Sequence, residues 1–180
     1  MSFEGSRRYH QSRTRKGAAA TYFYDLGSPM SFGATPSSDE VVDGHMHFDG
    51  EQWYLYDETR AKWLSLAETQ AGFGKDGAVA VSTFLDYVGC GLSANRFGHV
   101  CRRDCTLVGY TWDSGLATTA TLRVKATGVQ VTTIGLVAMT EQTDNAVDVD
   151  LSAGDVISVD VGAGSIPNKH RLNLYLRHRI

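Results

Sequence analysis

The chain has 180 residues, of which 42% are hydrophobic and 21% are charged, and its formal net charge at pH 7 is −3. This length is enough for one well-buried domain with an ordered arm, and its 3 prolines and 19 glycines exclude a collagen-like or disordered composition. The chain has neither a secretory signal nor an apolar run long enough to cross a bilayer, so we expect no membrane partner.

The first 40 residues are polar and irregular, with a basic start. Residues 1–16 hold five basic side chains and one acid, and no helical or strand periodicity persists up to residue 40, which predicts an extended arm. Such an arm either stays solvated or docks on an acidic protein surface. A single interleaved aromatic, Tyr9, and the acidic balance of the whole chain argue against nucleic acid. We predict that the arm anchors the protein to a partner through Arg7, Arg8, Arg13, Arg15, Lys16, Tyr22, Phe23 and Tyr24.

Residues 44–66, GHMHFDGEQWYLYDETRAKWLSL, gather five aromatic residues around one Asp49–Gly50 pair. An Asp-Gly pair between HMHF and QWYLY predicts a β-hairpin with a tight turn, and KWLSL predicts a third short strand. Three small strands are marginal alone, so this region should pack on the main domain or on another copy. We expect packing or interface contacts from Trp53, Tyr56 and Trp63.

His45 and His47 are the candidate metal ligands of this region, because residues two apart in a strand point to the same side. Two ligands without a third do not make a metal site, so we interpret them as exposed strand histidines. Phosphate-binding, dinucleotide-binding and zinc-protease motifs are absent from the sequence. We therefore predict no metal and no cofactor.

Residues 73–180 contain repeated strand-like runs and almost no helical pattern. TLVGYTWD alternates up to a turn predicted at Asp113-Ser-Gly, and two further strands should join near Thr127–Gly128. RLNLYLRHRI places Leu172, Leu174 and Leu176 on one face, which predicts a terminal strand paired inside a sheet. Many short strands separated by turns predict an all-β, antiparallel β-sandwich or barrel.

Residues 141–160 contain six acids and no basic residue. Paired carboxylates would suit glycoside hydrolysis, but alternation explains Asp148, Asp150, Asp155 and Asp160 as solvent-facing positions between buried aliphatic residues. Catalytic carboxylates need burial or mutual pairing to separate their pKa values. We predict that the protein is not an enzyme; a hydrolysis assay with Asp148 or Asp150 variants would test the opposite reading.

Cys90, Cys101 and Cys105 are an odd number of cysteines in a chain without a signal, which favours reduced thiols. The spacing of Cys101 and Cys105 is not that of a zinc knuckle or a C-x-x-C redox pair. We interpret them as small buried apolar residues in strands.

Three segments resemble parts of bacteriophage virion proteins. DGEQWYLYDETRAKWLSL resembles the Gly-x-x-Tyr-Tyr-Asp-x-Thr-x-x-Lys-Trp-Leu-Ser segments that precede the C-terminal domains of fibre, head-decoration and other virion proteins. GHVCRRDCTL is similar to their Gly-x-x-x-Pro-Arg-Asp-x-x-Ile strand start, and LSAGDVISVDV to the Leu-x-x-Gly-Asp-x-Ile-x-Val strand of jelly rolls of the C1q and tumour-necrosis-factor type. Together the segments fall within residues 44–180.

The resemblance implies a homotrimer of jelly rolls packed around a threefold axis, and it brings no catalytic residues. The divisions expected are an arm at 1–40, a β-hairpin region at 41–70 and a jelly-roll sandwich at 71–180. Our hypothesis is a trimeric capsid decoration (cement) protein of the virion, assembled in the host cytoplasm, whose arm binds the major capsid protein or another virion protein. The alternative is a head-fibre or receptor-binding knob that recognises a host-surface glycan.

Overall fold

The computed structural model describes residues 30–32, 35, 41–88, 97–166 and 169–180, together with the backbone of 21–23 and 91–92. These residues form thirteen β-strands and contain no helix. Accordingly, no helix that would be long and apolar enough for a membrane span occurs among them. The strands are β1 (Thr21–Phe23), β2 (Met30–Phe32), β3 (Met46–Phe48), β4 (Trp53–Asp57), β5 (Lys62–Lys75), β6 (Asp86–Tyr87), β7 (Gly91–Leu92), β8 (His99–Val100), β9 (Cys105–Ala126), β10 (Val129–Asp144), β11 (Val149–Leu151), β12 (Val156–Gly164) and β13 (His170–Arg179).

The chain divides into two compact units after Leu66. The first comprises residues 1–66 with Ile180, and the second comprises residues 67–179. Two short strands, β1 and β2, fall inside the segment 1–40 that the sequence presents as an arm. The division expected at residues 40 and 70 stays a prediction.

The first unit is a small sheet with the strand order β1-β2-β3-β4-β5. β2 and β3 are parallel, and the other neighbours are antiparallel, with Phe48 opposite Trp53 and Tyr56 opposite Trp63. The Asp49 carboxylate accepts hydrogen bonds from the backbone N–H groups of Glu51 and Gln52, at 2.7 and 2.9 Å. Gly50 has a φ of 103°, which glycine adopts without strain. The predicted aromatic β-hairpin is therefore confirmed.

The second unit has the strand order β5-β13-β9-β12-β8, in which β13, β9, β12 and β8 pair antiparallel with their neighbours in that run. β9 is the 22-residue strand on which it is built. Residues 105–114 of β9 pair with β13, and residues 120–126 pair with β12, while β10 and β11 also pair with β9. The thirteen strands, and the antiparallel pairing in this unit, confirm the predicted all-β class.

Alternating side chains of these strands form one core. Leu122 and Val124 of β9, and Val159 and Val161 of β12, are fully buried. Leu172, Leu174 and Leu176 are buried as well, and β13 lies between β5 and β9 in the strand order, which confirms the paired terminal strand. The hairpin predicted near Thr127–Gly128 is also confirmed: both residues have positive φ, at 48° and 88°, and they join β9 to β10.

Two strand ends were predicted wrongly. β9 does not stop at Asp113, because Asp113 pairs with Glu141 and Arg171, and Ser114 pairs with His170, so the ladder continues through the expected turn. The strand that begins with KWLSL is not short, because β5 continues to Lys75 and pairs there with β6. In both places pairing with distant strands overrides the local turn chemistry.

Candidate interaction surface

His45 and His47 are fully buried, which corrects the expectation of exposed strand histidines. His47 lies in the middle of β3 between two neighbouring strands, and its Nδ1 is 2.9 Å from Oγ of Ser31 in β2. The sequence does not reveal this burial because β2 lies within the segment that had no periodicity. Among the described residues, no group of three or more His, Cys, Asp or Glu side chains is placed to hold a metal ion.

Both imidazoles pack against the indole of Trp63, with ring centroids 5.1 Å away for His45 and 5.5 Å away for His47. Burial, and secondarily the charge of His47, lowers the pKa of His45 to about 4. Burial also lowers the pKa of His47, although Asp49 and Ser31 partly offset the effect. Neutral imidazoles in an aromatic cluster serve packing, so these histidines are part of the scaffold.

The three aromatic residues predicted for packing or interface contacts have different environments. Tyr56 and Trp63 are buried in the core of the first unit together with Tyr54. Trp53 is half-buried, with its ring centroid 5.1 Å from that of Phe48. Trp53 alone of the three therefore presents part of its ring at the surface.

The residues predicted to anchor the arm lie outside the side chains that the structure describes. Arg7, Arg8, Arg13, Arg15, Lys16 and Tyr24 fall in the segments that are not described, and for Tyr22 and Phe23 the description is limited to the backbone of β1. Their role as an anchor stays a prediction.

An apolar surface lies on the hairpin of β9 and β10 and consists of Leu116, Val137 and Met139. These side chains are 64%, 53% and 52% exposed. Met139 pairs with Thr118, and Leu116 lies between Thr118 and Asp113 on β9, so the three residues belong to the middle part of the hairpin. We call this set the β10 surface.

The local structure holds the β10 surface in place. Register shifts at Ala138/Met139 and Met139/Glu141 mark β-bulges, which bend the strand. The side chain of Gln142 spans the bend: its Oε1 accepts a bond from the N–H of Val137, and its Nε2 donates to the carbonyl of Gly135 and to the Tyr110 hydroxyl. On β9, the buried Ser114 hydroxyl donates to the carbonyl of Leu116 at 2.8 Å. Polar side chains thus fix the backbone, while the apolar side chains remain exposed.

β10 has the properties of an edge that other strands can join. Among the described strands it pairs with β9 and with no other. Its sequence, VQVTTIGLVAMTEQTD, has no lysine, arginine or proline, the residues that natural proteins commonly place on edges to prevent association. Glu141, Asp144 and the β-bulges give the edge some protection, but exposed apolar side chains such as Val137 and Met139 are typical of a surface that another chain covers.

Asp160 is 2% exposed, which corrects its assignment to a solvent face. Its carboxylate accepts two hydrogen bonds from Arg123, at 2.9 and 2.6 Å, and one from Lys125 at 3.0 Å. Burial opposes ionisation, but these bonds outweigh it and lower the pKa of Asp160 below its usual value. Lys125 also lies 5.0 Å from the ring centroid of Phe84. The arrangement is an ion-pair network between β9 and β12, with no second carboxylate in it.

A cavity of about 590 Å³ lies in the second unit and has mixed charge. Acids, bases and one tyrosine line it, and Oδ1 of Asp86 is buried at its wall without a hydrogen-bond partner. Such convergent polar groups around an aromatic ring are usual in ligand sites. The charged and aromatic residues that line the cavity are Lys75, Asp76, Asp86, Tyr87, Asp113, Lys169, His170 and Arg171.

No family model and no curated protein matches the chain. Among solved structures, the chain is similar to a carbohydrate-binding module, CBM36, in complex with calcium and xylotriose, with 14% sequence identity and a TM-score of 0.34. The match covers 64% of this chain and 100% of that module. Calcium and xylotriose are ligands of that protein, and a similarity of this size supports no conclusion about this one.

Proposed function

We propose that this chain is a structural protein that works by association with other chains, and specifically a trimeric decoration protein of a phage capsid. The observation that carries the proposal is the β10 surface: three exposed apolar side chains, two on β10 and one on β9, beside a strand that pairs with no described strand other than β9. A second copy of the chain is the proposed occupant. Closed homo-oligomers are the usual way in which a repeated apolar surface is covered without open-ended aggregation.

Attachment to the capsid is assigned to the arm. Residues 1–16 carry a net charge of +4 in a chain with a net charge of −3, so the arm and the body differ in sign. Three arms on one trimer make every contact after the first intramolecular, which turns modest individual affinities into stable attachment. Arginine suits this role because its guanidinium binds carboxylates through two parallel hydrogen bonds.

Association is tested first, by light scattering on the purified protein. We expect a mass three times that of the 19.6 kDa chain. Val137→Lys and Met139→Lys should shift the protein to monomers, whereas Val129→Lys, at an exposed position near the start of the same strand, should leave the trimer intact. A monomeric parent protein at micromolar concentration would refute the proposed trimer.

Attachment is tested separately, by co-sedimentation with capsids that lack their decoration protein. Full-length protein should bind saturably, and protein without residues 1–20 should stay trimeric but remain in the supernatant. Loss of the trimer on that deletion would contradict the division of roles between the arm and the β10 surface. Binding to host cells but not to capsids would favour the receptor-binding alternative.

The receptor-binding alternative, a knob that recognises a host glycan, is supported by the mixed-charge cavity. Its acids, bases and the ring of Tyr87 can hydrogen-bond and stack with a sugar. Asp86→Asn and Asp113→Asn should then weaken binding to oligosaccharides in calorimetry, while Glu141→Gln, which lies on β10 and does not line the cavity, should have no effect. Unchanged binding in both cavity variants would count against the alternative.

A further inference from the structure

The second unit contains a pair of cysteines. Neither the proposed trimer nor the proposed capsid anchor involves them. Cys101 and Cys105 are both buried and reduced, and their Sγ atoms are 3.5 Å apart. A disulfide needs a separation of about 2.0 Å, so the sulfur atoms are roughly 1.5 Å from bonding distance. Side-chain rotation is enough to close such a gap if the backbone already has the right spacing.

The backbone on both sides of the pair is held by other strands. The N–H of Cys101 donates to the carbonyl of Asp155, and the N–H of Gly154 donates to the carbonyl of Cys101, at 2.9 and 2.7 Å. Cys105 is the first residue of β9, where it pairs with Leu151 on one side and His178 on the other. The approach of the two sulfur atoms is thus imposed by the neighbouring strands and the Gly154–Asp155 turn.

A cavity of about 550 Å³ gives access to the thiols. Both cysteines line it, together with His99, His178 and the exposed side chains of Arg102 and Arg103. Its volume is many times the roughly 30 Å³ that a water molecule occupies in the liquid, so a small oxidant of similar size can enter. A large disulfide compound has poorer access to sulfur atoms that are this buried.

We propose that Cys101 and Cys105 form a dithiol–disulfide pair that a hydroperoxide oxidises. One sulfur reacts with the hydroperoxide, and the other resolves the product. The two cysteines are separated by Arg102, Arg103 and Asp104, so the bond closes a short turn and requires no strand to separate.

The two thiols share one hydrogen bond, so loss of a proton from either one leaves a thiolate that the other thiol can stabilise.

The reaction consists of two balanced steps. The thiolate of one cysteine attacks the terminal oxygen of the hydroperoxide, the O–O bond breaks, and the leaving oxygen takes up the proton lost by that cysteine to give an alcohol or water. The attacking cysteine is then a sulfenic acid. The sulfur of the second cysteine attacks it, the S–O bond breaks, and hydroxide leaves with the proton of the second cysteine as water. The two thiols are oxidised by two electrons, and one hydroperoxide is reduced.

The test uses the folded protein and hydrogen peroxide in slight excess, followed by alkylation and digestion with trypsin without reduction. Trypsin cleaves after Arg102 and Arg103, between the two cysteines, so the disulfide joins peptide 97–102 to peptide 104–123. The joined species should weigh about 2 Da less than the sum of the two peptides and should separate on reduction. Cys90→Ser is the matched control and should give the same joined species.

Two variants test whether the disulfide needs both sulfur atoms. In Cys101→Ser and in Cys105→Ser no joined species should form, and dimedone should trap a sulfenic acid on the remaining cysteine. Absence of a dimedone adduct in both variants would overturn the route through a sulfenic acid. Complete alkylation of both cysteines in the peroxide-treated parent protein, or a disulfide that links either one to Cys90, would overturn the proposal as a whole.

Discussion

The imidazole of His45 meets the indole of Trp63 edge-on, with ring centroids 5.1 Å apart and an interplanar angle of 74°. The same indole also contacts His47 and Tyr56, at centroid distances of 5.5 and 5.3 Å. Trp63 thus connects strand β5 to the aromatic hairpin of β3 and β4. Among the described residues, the core of the first unit has few side chains, and Trp63 contacts several of them, so we expect it to contribute strongly to stability.

Replacing Trp63 with alanine should destabilise the first unit by about 3–5 kcal/mol, because it removes a large buried ring and leaves a cavity. Urea denaturation followed by tyrosine fluorescence or circular dichroism measures the change. Leu66→Ala, at an exposed position of the same strand, should change the free energy of unfolding by less than about 0.5 kcal/mol. An unfolding midpoint that Trp63→Ala leaves unchanged would mean that the indole is not buried in solution.

Stability should fall between pH 6.5 and pH 4 because of the buried histidines. The pKa of His45 is about 4 in the folded state and about 6.5 in the unfolded chain, so the unfolded chain binds the proton first. The stability that the neutral form of His45 allows is therefore fully present above pH 6.5. It is lost as the pH falls toward 4, and the total loss in the free energy of unfolding is on the order of 3 kcal/mol. His45→Phe should flatten this part of the profile, and a profile with the same slope in that variant would contradict the prediction.

Replacing Asp160 with asparagine should cost about 3 kcal/mol, because it leaves Arg123 and Lys125 beside a buried site without their carboxylate. The Asp160 carboxyl group affects stability in a lower pH range than His45 does. The lowered pKa of Asp160 adds stability above pH 3.8, which disappears as the pH falls below that value. Thermal denaturation at pH 7 and pH 3 measures both effects. Glu141→Gln, at an exposed position, is the control and should be neutral at pH 7.

The β10 surface should control association without affecting folding. A lysine at position 137 or 139 stays in solvent in the monomer, so the melting temperature of the isolated variant should change little. In the oligomer the same lysine would be buried without a partner, which strongly opposes association. Light scattering and circular dichroism on the same samples separate the two effects. A variant that unfolds as it dissociates would show that these positions belong to the core.

Much of the fold could be predicted from local sequence patterns. Alternating leucines in β13 and the Asp49–Gly50 turn involve neighbouring residues, and both were predicted correctly. The errors concern residues whose environment comes from distant parts of the chain. Asp160 is buried because Arg123 and Lys125, 37 and 35 residues earlier, neutralise it. His47 is buried beside Ser31, 16 residues away.

The interaction surface was not predictable for a similar reason. The sequence of β10 shows a strand without lysine, arginine or proline, but it does not show that, among the described strands, β10 has a partner on one side only. That fact depends on which strands pair with β9, and alternation does not determine pairing order. The role of the arm as a capsid anchor was inferred mainly from its charge, and it stays a prediction.

The position of β13 has a consequence for how the protein is made. In the strand order of the second unit, β13 lies between β5 and β9, although it is the last of the described strands to be synthesised. A growing chain that has not yet reached residue 170 holds β5 and the first half of β9 with unpaired edges and an uncovered apolar face. Nascent or truncated chains should therefore depend on chaperones and aggregate readily, and they become soluble once the final ten-residue strand is inserted.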